Sequence, residues 1–488
     1  MPARNSRGAP VLCDERDANR YVSRTIPWVI FGTFGYACYA VTKPLCIDYL
    51  IDPQSHNYDR EPRVGAGVAI IIVFYVLLFP AITTYIRLYL VVANNPDYLP
   101  RGADWVSTEP EHESWLSKRR KTKEKSKPDH GNGTTTTGSN EKVRRTAVES
   151  ADIARHTGGV AFPLDETGRE EFWLKDIYVC QDDGRPAYCS TCCQFKTDRS
   201  HHNRDSDRCV RKLDHFCPWV GGVVSESSYK FFLQFVIYTA FFTCFCLIVL
   251  AIFVAEHRAD TGRTNAHWAV ALGLAALFFL FSGGMSGTTL QLASINTTTI
   301  ENLNRRSKVW TLAIYISPQQ YQRMTSRQNG QWALTFPTVT FPTQASSTSS
   351  AAQSSQADPQ STASNGVTST MTNNINNTNQ QTVNTRMFAI LRTQPGENPF
   401  DLGDPIKNLQ QVMGHTLWDW LLPLRVAPCV DHSSTISAYP MGPVVERLKR
   451  EAGIIFDDDD ADTVHTDHQQ HTSTTHQKSE DGNETQGR

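Results

Sequence analysis

Four long apolar segments constrain this chain more than any other feature it carries. A helix crossing the hydrocarbon core of a bilayer needs roughly 20 consecutive, mostly apolar residues, and residues about 26–46, 64–86, 231–255 and 266–288 each reach that length. The second holds the run VAIIIVFYVLLFP, and the third and fourth are apolar on all faces. Helices of that kind need lipid or a very large protein core around them. The first segment is the least apolar, with Gly32, Thr33 and Gly35 inside it.

A mean hydropathy of −0.38 over 488 residues would ordinarily indicate a soluble protein, but it averages these segments with long polar stretches. Orientation follows from Lys and Arg beside the spans. Arg4, Arg7, Arg16, Arg20 and Arg24 precede the first segment, whereas Asp48, Asp52, Asp59 and Glu61 dominate the loop after it. The expected layout is a cytosolic tail (1–25), span 1 (26–46), a lumenal loop (47–63) and span 2 (64–86). A cytosolic loop (87–230), span 3 (231–255), a second lumenal loop (256–265), span 4 (266–288) and a cytosolic tail (289–488) follow. Both termini are cytosolic. Residues 107–160, which include the basic run at 118–127, read as a flexible insertion, and the Ser/Thr/Gln/Asn tract at 343–385 as disordered. The rest of the tail reads the same way except for about 398–423. A net charge of −2 gives no reason to expect a nucleic-acid partner.

Five of the 12 cysteines fall between residues 189 and 217, within AYCSTCCQFKTDRSHHNRDSDRCVRKLDHFCPWVGG. Such clustering favours metal and reactive thiols over disulfides, and a reducing compartment. Cys189, Cys192, His202 and Cys209 have the spacing of a tetrahedral Cys3His zinc site, a staple suited to so small a domain. Cys193 reads as a bystander. Cys217 stands apart from that set, with His215 two residues and Asp214 three residues before it. Thiol, imidazole and carboxylate are the parts of an activated cysteine nucleophile, provided the backbone turns sharply there, as Pro218 favours. On spacing alone Cys217 is equally a further metal ligand. The third span begins about fourteen residues later, so the thiol lies near the membrane surface.

DRSHH, DHFCPW and SSYKFF in this order, with a TTxE-like Thr298-Thr299-Ile300-Glu301 after the fourth span, resemble the DHHC-type protein S-acyltransferases (palmitoyltransferases), and the chain looks like a fungal-type member. The aromatic and asparagine element at 398–423 is similar to one in that family's tail. Its Asp-Pro-Gly motif is reduced here to Asn95-Pro96-Asp97.

The resemblance implies a fold class: an all-α polytopic membrane protein of four transmembrane helices, with a small zinc-stapled cysteine-rich cytosolic domain (about 187–237) between spans 2 and 3. It implies that Cys217 attacks palmitoyl-CoA, with His215 and Asp214 assisting, and passes the acyl group to cysteine thiols of proteins. The expected partners are membrane lipids, acyl-CoA and protein substrates with cytosolic juxtamembrane cysteines. A cavity among the spans would take the acyl chain.

Family members bind two zinc ions. Here one ligand set, Cys189, Cys192, His202 and Cys209, is intact, whereas the other falls on Asn203, Ser206, Phe216 and Val223. Complete replacement of a set implies one zinc exchanged for packing and hydrogen bonding. The alternative is a catalytically silent zinc-bearing membrane scaffold.

Overall fold

A computed structural model describes residues 15–56, 58, 60–102, 105, 171–327, 335–342 and 385–455. The expected insertion at 107–160, nearly all of the 343–385 tract and the tail from 456 lie outside the described residues. Among the described residues, three helices are long and apolar enough to cross a membrane: α2 (Val64–Asn94), α3 (Tyr229–Thr261) and α4 (Ala266–Ser294). The first apolar segment continues α1 (Glu15–Ala40) into a π-helix, Val41–Ile51. That π-helix carries Pro44 and a Lys43–Asp48 ion pair at 2.7 Å, which lowers its apolar character. Even so, Val41, Leu45, Tyr49 and Leu50 are buried in one core with Phe74, Leu78, Phe242 and Trp268 of the other three helices.

The expectation of an all-α fold is corrected by the polar half of the chain. Three two-stranded hairpins lie between α2 and α3: β2 (Tyr188–Cys189) with β3 (Gln194–Phe195), β4 (His201–Asn203) with β5 (Arg208–Val210), and β6 (His215–Cys217) with β7 (Gly222–Val224). A four-stranded antiparallel sheet joins β1 (Ile177–Val179) to three strands of the tail, β8 (Thr311–Ile316), β9 (Thr338–Pro342) and β10 (Thr385–Arg392). Its order is β1-β8-β10-β9.

Period-two alternation gives this sheet two buried faces. Leu312, Ile314 and Leu391 pack beneath α6 (Pro318–Arg327) and α9 (Pro443–Glu451). Tyr178, Ala313, Phe388 and Ile390 pack with Phe172 and Phe341 on the other side. The ordered tail therefore extends well beyond the expected 398–423 patch. Within that patch, α7 (Pro405–Met413) and α8 (Leu417–Leu421) lie against α3 and α4, with α5 (Thr299–Leu303) just after α4.

Candidate active site and metal centre

Cys217 and His215 sit two residues apart on β6, so the pleat sends both side chains to one face. The sharp turn expected between them is unnecessary. It comes after the thiol instead, where Pro218–Val220 forms a 3-10 turn ending at Gly221, whose φ of 84° favours glycine. His215 Nδ1 meets Asp214 Oδ2 at 2.6 Å, and Cys217 lies on the same face of the strand. Burial disfavours the imidazolium, but Asp214 and Cys217 outweigh it and raise the His215 pKa to about 9. Asp214 and Cys217 are both buried, and Phe232 of α3 packs edge-on against the His215 ring.

The carboxylate has its own support. Thr299 donates from its backbone N–H to Asp214 Oδ1 at 2.8 Å and from its hydroxyl to Oδ2 at 3.0 Å. A capping box fixes the start of α5: the Thr298 hydroxyl accepts from Glu301 N–H, and Glu301 accepts from Thr298 N–H. The fully buried Arg199 grips both Glu301 oxygens, at 2.9 and 2.6 Å, and donates to Asn296. Burial works against the Glu301 carboxylate, yet Arg199 carries its pKa down to about 2. Asn398 binds the carbonyls of Ile295 and Asn296, tying the tail patch to the same turn. Arg199 lies inside DRSHH, and only the fold reveals its partner 102 residues away.

An apolar cavity opens among the helices, lined by Phe34, Trp219, Phe242, Leu250, Ala275 and Ser282 among others. Trp219 is two residues past Cys217, and Tyr85 holds its carbonyl at 2.9 Å. Chain continuity therefore places the thiol two residues from a residue of the cavity wall.

Asp97 of the reduced Asn95-Pro96-Asp97 element remains at work as an anchor. One of its oxygens accepts from the Ser225 hydroxyl and from the N–H and hydroxyl of Ser227, each at 2.7 Å. Burial, followed by the nearby Glu226, raises its pKa to about 6.

Cys189, Cys192, His202 and Cys209 place one ligand atom each within 4.8 Å of one another. His202 and Cys209 are direct cross-strand partners on β4 and β5. His202 Nδ1 is 3.6, 3.5 and 4.0 Å from the three sulfurs. Zinc bonds of about 2.3 Å to sulfur and about 2.0 Å to nitrogen, tetrahedrally disposed, imply a separation of about 3.6 Å. Two contacts match it and the third is slightly long. The set fits zinc, with Nδ1 as the histidine ligand. Cys193, at φ 53°, instead turns its thiol to the Ser190 carbonyl.

The four other positions are occupied differently. Asn203 accepts from Ser206 N–H at 2.9 Å and from its hydroxyl at 3.2 Å. Phe216 faces Val223 across β6–β7, within an apolar cluster that includes Val210 and Leu213. Strand alternation thus sends Phe216 to one side and His215 and Cys217 to the other. No other Cys/His cluster able to hold a metal occurs among the described residues.

A buried thiol near an imidazole that is hydrogen-bonded to a carboxylate, an apolar cavity and a Cys3His cluster occur together in a chain with helices long and apolar enough to cross a membrane. Residues 182–306 match the profile of the DHHC palmitoyltransferase family. Over 444 residues the chain is 48% identical to palmitoyltransferase pfa5 of Aspergillus fumigatus, covering 90% of this chain and 92% of that protein. It is 46% identical to palmitoyltransferase pfa5 of Emericella nidulans, over 93% of this chain and 90% of that one. Rat palmitoyltransferase ZDHHC3 is 34% identical over 25% of this chain and 44% of its own length. The chain belongs to the DHHC palmitoyltransferase family.

Proposed function

We propose that this chain is a protein S-palmitoyltransferase working in two steps through Cys217. Its family activity and its relatives' names supply the reaction; the relay supports the assignment of roles. The Cys217 thiolate attacks the thioester carbonyl of a long-chain acyl-CoA. The bond from acyl carbon to the CoA sulfur breaks, and CoA leaves after taking a proton from the His215 imidazolium. The incoming cysteine thiol of a protein then gives its proton to His215, attacks acyl-Cys217, and leaves with the acyl group. Asp214 keeps the imidazole oriented and stabilises its charged form throughout.

The acyl chain would occupy the cavity past Trp219. Each buried CH2 contributes roughly 0.8 kcal/mol, so a dry cavity favours a long chain. Zinc on Cys189, Cys192, His202 and Cys209 would be a structural cross-link that shapes the hairpins beside the thiol. The Asn203–Ser206 and Phe216–Val223 contacts support a reading of one ion per chain. We further propose that α1 with its π-helix is a fourth span, with both termini on the cytosolic side, and that substrates offer cytosolic cysteines near the membrane.

The observation that carries this reading is the hydrogen-bonded series from Thr299 through Asp214 to His215, with Cys217 on the same strand face two residues before Trp219, which lines the cavity. In vesicles containing the purified protein, labelled palmitoyl-CoA and a peptide with a juxtamembrane cysteine, label should reach the peptide and return to solution with hydroxylamine. Equal peptide labelling by Cys217→Ser would refute it.

A further inference from the structure

Helix α8 wears its amphipathicity inside out. Asp419 is buried, with its carboxylate on the Thr416 hydroxyl at 2.8 Å and 3.8 Å from the buried Lys230 ammonium. Trp420 turns inward to the core, its indole donating to the Gly414 carbonyl. Leu417 and Trp418, 78% and 70% exposed, point outward, joined by Leu421, Leu422 and Leu424. Charge inside and a run of large apolar groups outside is the reverse of what water selects.

The position of α8 explains the reversal. Gln234 of α3 donates to the carbonyls of Asp419 and Trp420, and Tyr238 donates to that of Leu421 at 2.7 Å. By the 1.5 Å rise per residue these contacts lie about 8–14 Å along the spanning helix from its start. Backbone carbonyls that water would otherwise satisfy are thus covered by α3. Phe241, 63% exposed, continues the outward apolar surface deeper along α3. Arg425 follows the apolar run at its edge, its side chain 64% exposed.

We propose that α8 and residues up to 424 are an interfacial anchor, embedded in the bilayer leaflet beside the cysteine-rich domain at the boundary of headgroups and acyl chains. Leu417, Trp418 and Leu421 enter the apolar zone, and Arg425 meets the phosphates. The occupant of this face is lipid, since the face is continuous with the outward surface of α3. The anchor sets how deeply the tail patch, and with it the turn holding Thr299, rides on the membrane. The proposal rests on α2, α3 and α4 crossing a bilayer.

The test places the photoreactive residue benzoylphenylalanine at 417 or 418 of the full chain. The protein is reconstituted in phosphatidylcholine vesicles containing phosphatidylserine, and adducts are identified by mass spectrometry. Position 79, exposed on α2, reports the spanning surface, and position 321 on α6 reports the surface away from it. Lipid adducts at 417 and 418 comparable to those at 79, with background at 321, support the anchor. Adducts at 79 alone, or crosslinks from 417 and 418 to a second copy of the chain, overturn it and leave the spanning reading intact. Background at 79 overturns both.

Discussion

Thr299 grips Asp214 with two hydrogen bonds, one from its backbone N–H and one from its hydroxyl, although 85 residues and two membrane-crossing helices separate them in the chain. The carboxylate that orients His215 is therefore held by the turn after α4. That turn is in turn held by Arg199 through Glu301.

Removing the hydroxyl should loosen the relay without dismantling it. A hydrogen bond to a charged group contributes about 1.5–3 kcal/mol, so Thr299→Val is expected to slow autoacylation roughly tenfold to a hundredfold. Thr299→Ser should restore most of the rate. Single-turnover kinetics with labelled acyl-CoA measure both; an unchanged rate in Thr299→Val contradicts the clamp.

The pH dependence has a definite sign. His215 holds its proton more tightly in the folded protein, its pKa raised from 6.5 to about 9. The stability it contributes is fully present below pH 6.5 and is lost as pH rises through about 9. The same deprotonation removes the proton that His215 would give to the leaving CoA, so acylation should fall over that upper limb. Asp214→Asn should move the limb down by about one unit or more. A pH–rate profile of the two proteins checks this, and an unmoved limb would exclude Asp214 as the partner of the ring.

Metal content should be close to one zinc per chain after solubilisation in detergent. Phe216→His should not raise it, because Asn203, Ser206 and Val223 still lack thiols. Cys209→Ala should lower it and unfold the hairpins, seen as proteolysis near β4 and β5. Two ions in the native chain would contradict the exchange of the second site for packing.

Breaking the buried Arg199–Glu301 pair should cost about 3–5 kcal/mol, because the remaining charge loses its partner inside the protein. Arg199→Met with Glu301→Leu should recover part of that stability but not the acylation rate, since the capping box at Thr298 is gone. Thermal unfolding and autoacylation of the single and double variants separate the two effects.

Cavity length should set chain choice. Ala275 lines the cavity, and Ala275→Phe adds a ring there. Losing room for two methylenes corresponds to about 1.6 kcal/mol, so preference should shift roughly tenfold from palmitoyl- toward myristoyl-CoA in a competition assay. No shift would place the acyl chain elsewhere.

Much of the site was legible because its residues are close in sequence. The cysteine spacing indicated the cluster at Cys189, Cys192, His202 and Cys209, and hairpins β2–β3 and β4–β5 close it. The proximity of Asp214, His215 and Cys217 was readable too, but a turn was assigned where a strand's pleat suffices. The sheet was missed for a different reason. Its strands TLAIYI and TRMFAILR are short apolar runs separated by a long polar tract, and only pairing across that gap reveals them. Roles for Arg199 and Asn398 likewise depend on partners about a hundred residues away. The outward leucines of α8 could not be told from core residues without the fold.

The central claim is that Cys217 carries the acyl group. The most direct measurement is peptide mass spectrometry of the purified protein after brief exposure to palmitoyl-CoA. The account predicts one palmitoyl thioester, on the peptide containing Cys217, removed by neutral hydroxylamine and missing in Cys217→Ser. A thioester on another cysteine that persists in Cys217→Ser, with Cys217 unmodified in the native chain, would contradict it.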